Sequence, residues 1–169
     1  MPTLEEIVRR FALSPLSGEG GLFRRTYAST DVLSAKSYGE RYAENTKKEA
    51  GSAIMYMVTP ETWSHLHTLP TDEIYHFYLG DPVELFLISP DGAVKTVTLG
   101  QDVMAGMEVQ YVVPAGWIQG SCLKCGGEWA LLGTTMAPAY TPDDYSEPDT
   151  AALLAAHPEY AETIRKLSN

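Results

Sequence analysis

Two histidines and one glutamate stand at a spacing that can support chemistry. The chain reads His65-Leu66-His67, then Glu73 after five further residues, then Gly80 after six more. Alternate residues of a β-strand point to the same face, so His65 and His67 share a face that a carboxylate on the next strand can reach. Imidazole together with carboxylate suits a divalent transition metal or a proton-transfer site. This run predicts a class of site and leaves the reaction open.

The segment that carries Glu73 is predicted to contribute two aromatic rings to the same wall. If Glu73 points into a pocket, Tyr75 and Phe77 line the same side, while His76 and Tyr78 face outward. A buried carboxyl group needs a partner or a raised pKa. Glu73 is therefore a stronger functional candidate than a surface glutamate.

Two glutamines and a tryptophan add a polar and aromatic lining. Gln110 and Gln119 lie on adjacent predicted strands, and Trp117 shares a face with Gln119. Two amides and an indole suit a sugar or another small polar ligand. A core position explains Trp117 equally well, and both readings stay open.

These residues are positioned by what is predicted to be an all-β domain. Short segments of two-residue periodicity follow one another, and turn signals rich in Gly, Pro and Asp separate them. Strands do not alternate with helices, so a parallel α/β sheet is not expected. Many short strands at this spacing indicate a sandwich or a barrel. The predicted strands are residues 22–29, 53–59, 63–68, 73–79, 83–89, 93–99, 108–113, 117–123 and 129–136.

Helices are predicted at both ends of the chain. Thr3 and Glu6 have the spacing of a capping box, which begins an N-terminal helix within residues 1–13. Residues 150–167 are predicted to form two C-terminal helices, the second beginning at a proline. We expect these helices to pack outside the barrel formed by residues 22–136.

Residues 30–51 are the least regular part of the chain. They are polar and rich in Lys, Glu, Ser and Tyr. We interpret them as a long excursion between the first and second strands, for which both a lid and a solvated loop remain open.

Composition disfavours several classes of protein. The 169 residues are expected to form one domain, and 22 acidic against 12 basic residues give a net charge of −10. This charge disfavours nucleic acids and anionic membranes as partners. A long apolar run and a secretory leader are both missing, so a cytoplasmic location is expected. Cys122 and Cys125 lack a second pair of thiolates for a zinc site and are interpreted as reduced thiols near a turn.

The motifs together resemble the cupin superfamily. The run from His65 to Gly80 is similar to the first cupin motif, and the run from Gly106 through Pro114 to Gln119 is similar to the second. More narrowly, the chain resembles the small Cupin_5 branch, a domain of unknown function (DUF985). The stretches that carry this resemblance are Glu19-Gly20-Gly21-Leu22-Phe23-Arg24, Ser52-Ala53-Ile54-Met55-Tyr56, residues 72–82, residues 110–117 and His157-Pro158-Glu159-Tyr160.

The resemblance implies a double-stranded β-helix, the cupin jelly roll, with a pocket inside the barrel and commonly a homodimer. Cupins include metal-dependent oxygenases, isomerases and decarboxylases, metal-free sugar epimerases, and sugar-binding or storage proteins. The resemblance therefore implies a small polar ligand that is sugar-like or nucleotide-sugar-like. An isomerase, an epimerase or a metal-dependent oxygenase is the first alternative, and a non-catalytic structural or storage dimer is the second.

The resemblance also implies roles for individual residues. His65, His67, Glu73 and Gln119 would hold a divalent metal such as zinc, iron, manganese or nickel, which polarises a substrate carbonyl or hydroxyl. Two departures weaken this set: five residues separate His67 from Glu73 where three or four are common, and Gln119 stands where a histidine is usual. Without a metal, the candidate catalytic residues are His67, Glu73 and Tyr75, a histidine removing a proton next to a carbonyl and the tyrosine returning it.

The loop before the first strand is the last candidate. The family match suggests that Glu19 and Arg24 lie near the mouth of the pocket as ligand-binding residues, and paired glycines between them permit close backbone approach. A plain connecting loop, or an ion pair between Glu19 and Arg24, explains the same residues. The other predicted ligand-binding residues are Phe77, Gln110, Trp117 and Gln119.

Overall fold

A short amphipathic helix begins the fold. The computed structural model describes residues 2–168. Helix α1 spans Leu4–Phe11, and the predicted capping box is present, because the Glu6 amide donates to Thr3 Oγ1 and the Thr3 amide donates to Glu6 Oε2. The two bonds satisfy amides that a helix N-terminus leaves without partners.

Strands form most of the remaining structure, and the nine segments predicted from the sequence match strands within about two residues at each end. Short strands that the sequence did not predict occur before the first segment and within residues 30–51. The strands are β1 Ser14–Pro15, β2 Leu22–Ala28, β3 Val32–Ser34, β4 Lys47–Glu49, β5 Ser52–Val58, β6 Ser64–Thr68, β7 Glu73–Gly80, β8 Val83–Ile88, β9 Val94–Leu99, β10 Gln110–Val113, β11 Ile118–Leu123 and β12 Ala130–Met136.

Two antiparallel sheets face each other across the core. One sheet has the order β1-β2-β5-β12-β7-β10, and the other has the order β6-β11-β8-β9. The main core cluster draws buried residues from both sheets, among them Val58, Phe77, Leu85 and Leu132. This arrangement confirms the predicted all-β jelly roll, with polar residues left at one end of the space between the sheets.

The terminal helices cover the outer faces of the sheets, as predicted. Ile7 of α1 packs with Met57 and Leu131 on the outside of the six-stranded sheet. The C-terminal helices α2 (Thr150–Ala156) and α3 (Ala161–Leu167) pack on Leu66, Phe86 and Cys122 of the four-stranded sheet. The second predicted helix is divided, since Pro158–Tyr160 forms a 3-10 turn before α3.

The excursion between the first two long strands is anchored. Strands β3 and β4 pair with each other, and 3-10 turns at Ala35–Arg41 connect them. The side chain of Lys48 is 2% exposed, forms an ion pair with Asp144, and lies over the ring of Tyr42. This ion pair anchors the C-terminal end of the segment, whereas most of the described residues between 30 and 47 are exposed, as expected of a solvated loop.

The structure bears on the predictions made for the two cysteines and for membrane-spanning segments. Cys122 is buried in β11 and Cys125 is exposed in the turn that follows, and both are free thiols. Within residues 2–168, no helix has both the length and the apolar character needed to cross a bilayer.

Candidate functional site

The inner face of the six-stranded sheet carries a cavity of about 340 Å³. Strands β2, β5, β7 and β12 form its wall, and the loops around residues 16–19, 69 and 140–142 cover it. A volume near the lower end of the usual range for ligand sites fits a small molecule. Its lining residues are Leu16, Ser17, Glu19, Phe23, Arg25, Ser52, Ile54, Leu69, Glu73, Thr134, Met136, Tyr140 and Pro142.

Each wall strand changes character along its length, and β7 illustrates this. Glu73 lines the cavity, Tyr75 lines a smaller recess behind it, and Phe77 lies in the apolar core. The recess measures about 20 Å³ and shares Glu19, Glu73 and Thr134 with the cavity. A volume of this size holds about one water molecule. Glu73 therefore stands where the cavity meets a smaller and more polar recess.

Glu73 is bound across the barrel by a residue of the opposite sheet. Its side chain is 7% exposed, and Gln119 Nε2 on β11 donates to Glu73 Oε2 at 2.8 Å. Burial raises the pKa of Glu73 to about 7, and the negative charge of Glu19 acts in the same direction, while hydrogen bonds from Thr134 and Gln119 oppose the rise. The group can therefore gain or lose a proton near neutral pH.

His67 is a neutral base beside this carboxyl group. Its side chain is 3% exposed, its ring stacks on Tyr145, and its Nδ1 lies 2.8 Å from the carbonyl oxygen of His65. A carbonyl only accepts hydrogen bonds, so Nδ1 carries the proton and Nε2 keeps its lone pair. Burial lowers the pKa of His67 to about 4, which keeps the ring uncharged at neutral pH.

His65 does not share the position of His67. The β6–β11 ladder shifts register between Gln119 and Ser121, so Ser64 and His67 both line the recess although they are three residues apart. His65 Nδ1 instead contacts the Gly18 carbonyl oxygen at 2.9 Å. A β-bulge breaks the strict alternation on which the shared face depended, so the expectation that His65 converges with His67 and Glu73 is wrong.

The loop before β2 brings a second carboxyl group to the cavity. Glu19 accepts a hydrogen bond from the hydroxyl of Tyr140, and burial raises the pKa of Glu19 above its ordinary value. Gly20 makes this approach possible, since its φ is +79° and a Cβ atom there would lie 2.1 Å from the Trp63 carbonyl oxygen. Tyr56 fixes the same loop by donating to the Gly20 carbonyl oxygen at 3.1 Å.

The arginine at the cavity is Arg25, which corrects the expectation for Arg24. Phe23 and Arg25 line the cavity, so the alternation of β2 turns Arg24 to the opposite face, where it is exposed. Arg25 forms an ion pair with Glu49 of β4. The alternation with Phe23 was visible in the sequence and could have selected Arg25.

Three predicted lining residues lie elsewhere. Gln110 is exposed on β10 of the six-stranded sheet, and its Nε2 contacts His76 Nδ1 at 3.2 Å. Gln119 belongs to the other sheet. Trp117 packs against the core cluster and Phe77 is part of it. The prediction for Gln110 is wrong because β10 and β11 are not neighbours, and the core reading of Trp117 applies.

Other lining residues were missed from the sequence. Tyr140 and Pro142 follow the last strand and fold back over the cavity, and Thr134 and Met136 reach it from β12. The period of two along residues 130–136 could have indicated the inward face. Nothing in the sequence indicated the return of residues 140–142.

The predicted metal ligands do not fit an ion. Among residues 2–168, no three His, Cys, Asp or Glu side chains are grouped closely enough to hold a metal. His65 is turned to the Gly18 carbonyl oxygen. The set of His65, His67, Glu73 and Gln119 therefore does not form a coordination site here.

A double-stranded β-helix with polar residues gathered inside the barrel defines the cupin class of protein. The chain matches the model of the family Cupin_5, described as cupin superfamily (DUF985), over residues 5–147. It belongs to that family.

Three similar proteins have names that state no activity. A structural-genomics target from Shewanella oneidensis superposes with a TM-score of 0.83 at 30% identity, covering 100% of this chain and 99% of the other. A hypothetical protein from Leishmania major gives a TM-score of 0.85 at 26% identity, with 99% of each chain covered. The uncharacterized protein YML079W of Saccharomyces cerevisiae is 25% identical over 134 residues, which are 76% of this chain and 67% of the yeast protein.

Proposed function

We propose that this protein binds a small polar molecule, about the size of a monosaccharide, inside the barrel and that Glu73 exchanges a proton with it. The observation that supports this most directly is the position of Glu73. It closes the inner end of a cavity of about 340 Å³, with neutral Gln119 as its hydrogen-bond partner and a pKa of about 7. A general acid or base works best when its pKa is near the operating pH.

The charges of the cavity favour a sugar-like ligand over a nucleotide-sugar. Glu19 and Glu73 both face the cavity, and Arg25 at its wall is already paired with Glu49. The diphosphate of a nucleotide-sugar would meet two carboxyl groups without a free cation to balance it. Apolar walls such as Phe23 and Ile54 suit the carbon face of a ring.

The isomerase or epimerase alternative follows from the same site. Glu73 can donate or accept a proton near neutral pH, and His67, a neutral imidazole with a lone pair on Nε2, lines the adjoining recess. Burial raises the pKa of Tyr75 well above its ordinary value, which makes its hydroxyl a poorer acid than Glu73. In this proposal Glu73 rather than Tyr75 returns the proton to substrate carbon.

A binding screen tests the first part of the proposal. Monosaccharides and nucleotide-sugars are added to the protein, and a ligand of the folded state raises the melting temperature. Ile54→Trp fills the cavity and is expected to abolish the shift, whereas Met55→Trp, one residue along β5 and outside the cavity lining, retains it. A panel without any shift, or equal shifts in both variants, contradicts binding in this cavity.

A solvent-exchange experiment tests proton transfer. Carbonyl-containing ligands from the screen are incubated in D₂O, and mass spectrometry follows deuterium at the carbon next to the carbonyl. Glu73→Gln is expected to slow the exchange by a factor of about 100 or more while binding remains. The exposed Glu159 provides the matched control, and Glu159→Gln should leave the rate unchanged. Exchange that persists in Glu73→Gln assigns the proton transfer to another group.

Metal analysis separates this proposal from a metal-dependent oxygenase. Protein purified without a histidine tag is measured for zinc, iron, manganese and nickel. Near one metal per chain, lost on substitution of His67 by Ala, would favour the metal-dependent alternative over proton transfer by Glu73.

A further inference from the structure

The inner end of the cavity carries several hydrogen-bond acceptors. Glu73 and Glu19 each present a carboxyl group there, and His67, whose Nε2 keeps a lone pair, lines the recess. Two of the nearby donors already bind these carboxyl groups. Gln119 Nε2 donates to Glu73, and the hydroxyl of Tyr140 donates to Glu19.

A buried acceptor close to Glu73 lacks a hydrogen-bond partner. Gln119 is 1% exposed, and its Oε1 atom makes no hydrogen bond among the described residues, although its Nε2 contacts Glu73. A buried amide oxygen without a donor is unfavourable. Gln119 pairs with His67 in the β6–β11 ladder and its Nε2 donates to Glu73, so its side chain lies at the same polar end of the barrel.

Positive charge is also missing from that end. Of the lining residues that the structure describes, Arg25 is the one cation, and it is 44% exposed and paired with Glu49. Lys48 is also a buried cation, but it forms an ion pair with Asp144. Two carboxyl groups therefore face the cavity without an internal cation.

We infer that the ligand carries a protonated amine, which the carboxyl groups of Glu19 and Glu73 bind at the inner end of the cavity. An ammonium group supplies three donors and a positive charge, whereas a hydroxyl group supplies one donor and no charge. The carbon body of the amine would lie against the apolar walls, which include Phe23, Ile54 and Leu69. This inference rests on the proposed binding function and names its ligand class.

A pair of probes of similar shape tests the inference. Cyclohexylamine and cyclohexanol differ in the ammonium group alone, and calorimetry measures the dissociation constant of each at pH 8. The amine is expected to bind at least about tenfold more tightly than the alcohol, because hydrogen bonds to charged groups are the stronger ones. Glu73→Gln and Glu19→Gln should each weaken the amine about tenfold and leave the alcohol within about twofold. Glu159→Gln should change neither probe.

Measuring amine binding at a series of pH values adds a second test. Nonspecific attraction by charge would not produce the pH dependence expected from Glu73. Glu73, with a pKa of about 7, is mostly protonated at pH 6 and mostly ionised at pH 8. Amine binding should therefore weaken about tenfold from pH 8 to pH 6 and release a proton, and Glu73→Gln should remove this dependence. Melting curves establish whether each variant is folded. If Glu73→Gln does not fold, Glu19→Gln replaces it as the test variant for amine binding.

Each contrary result overturns the inference. Equal or tighter binding of the alcohol rejects the amine while the proposed binding function stands. Equal loss in Glu159→Gln assigns the effect to net charge and rejects the two carboxyl groups as the site. Binding of neither probe also rejects the amine, and the proposed function is then judged by the sugar screen and the Ile54→Trp variant.

Discussion

Glu73 and His67 should contribute opposite pH dependences to the free energy of unfolding. The pKa of Glu73 rises from an ordinary value of 4.5 to about 7, so the folded state binds more protons than the unfolded state between these values and loses stability as the pH rises. The pKa of His67 falls from 6.5 to about 4, so the unfolded state binds more protons between these values and stability is lost as the pH falls.

The two effects are similar in size. One pKa unit corresponds to about 1.4 kcal/mol, so ionising buried Glu73 costs about 3 kcal/mol, and protonating buried His67 costs about 3 kcal/mol. Between about pH 4.5 and pH 6.5 the slopes oppose each other. The wild-type protein should therefore show little net dependence from these two groups, and each substitution should expose the contribution of the other.

Urea denaturation at a series of pH values measures this. Glu73→Gln should become more stable by about 3 kcal/mol as the pH rises from 4 to 6.5, and His67→Asn should become less stable by about 3 kcal/mol from pH 4.5 to 7. The difference between each variant and wild type cancels the contributions of unchanged groups and leaves that of the substituted group, so for Glu73→Gln it should rise by about 3 kcal/mol between pH 4.5 and 7. Glu159→Gln should parallel wild type. A Glu73→Gln profile parallel to wild type would refute the buried, neutral state of Glu73.

Two further changes test the packing around the site. Lys48→Met should cost about 3 to 5 kcal/mol in denaturation experiments, because it leaves buried Asp144 without its cation. The double variant with Asp144→Leu should recover most of that loss, and a single-variant cost below about 1 kcal/mol would contradict the buried pair. Gly20→Ala should lower the melting temperature more than Gly18→Ala. Both glycines have φ near +80°, but a Cβ at Gly18 meets nothing within 4 Å, whereas one at Gly20 clashes with Trp63. Equal effects would contradict the close approach.

Local patterns in the chain predicted most of the fold. The long strands, the capping box of Thr3 and Glu6 and the placement of Glu73 on an inward face follow from alternation and from helix-start residues, which depend on near neighbours. The family motifs added the jelly roll. The homodimer and the cytoplasmic location stay predictions.

Errors arose where the answer depended on distant residues. Alternation placed His65 with His67, but the register shift against β11 separated them. Adjacent order in the chain placed Gln110 beside Gln119, but β10 pairs with β7 in the other sheet. The packing of the whole barrel determines which strands pair and where bulges occur. A short stretch of sequence does not contain that information.

The types of residue needed for a polar centre, and the strands that carry them, are set by the order of amino acids along the chain. Their grouping is decided by tertiary structure alone. Glu73 meets Gln119 from the opposite sheet, and Glu19 meets Tyr140 from 121 residues away. Closing the barrel removes water from these carboxyl groups and thereby raises their pKa, because the charged form loses hydration that the sparse polar neighbours do not replace.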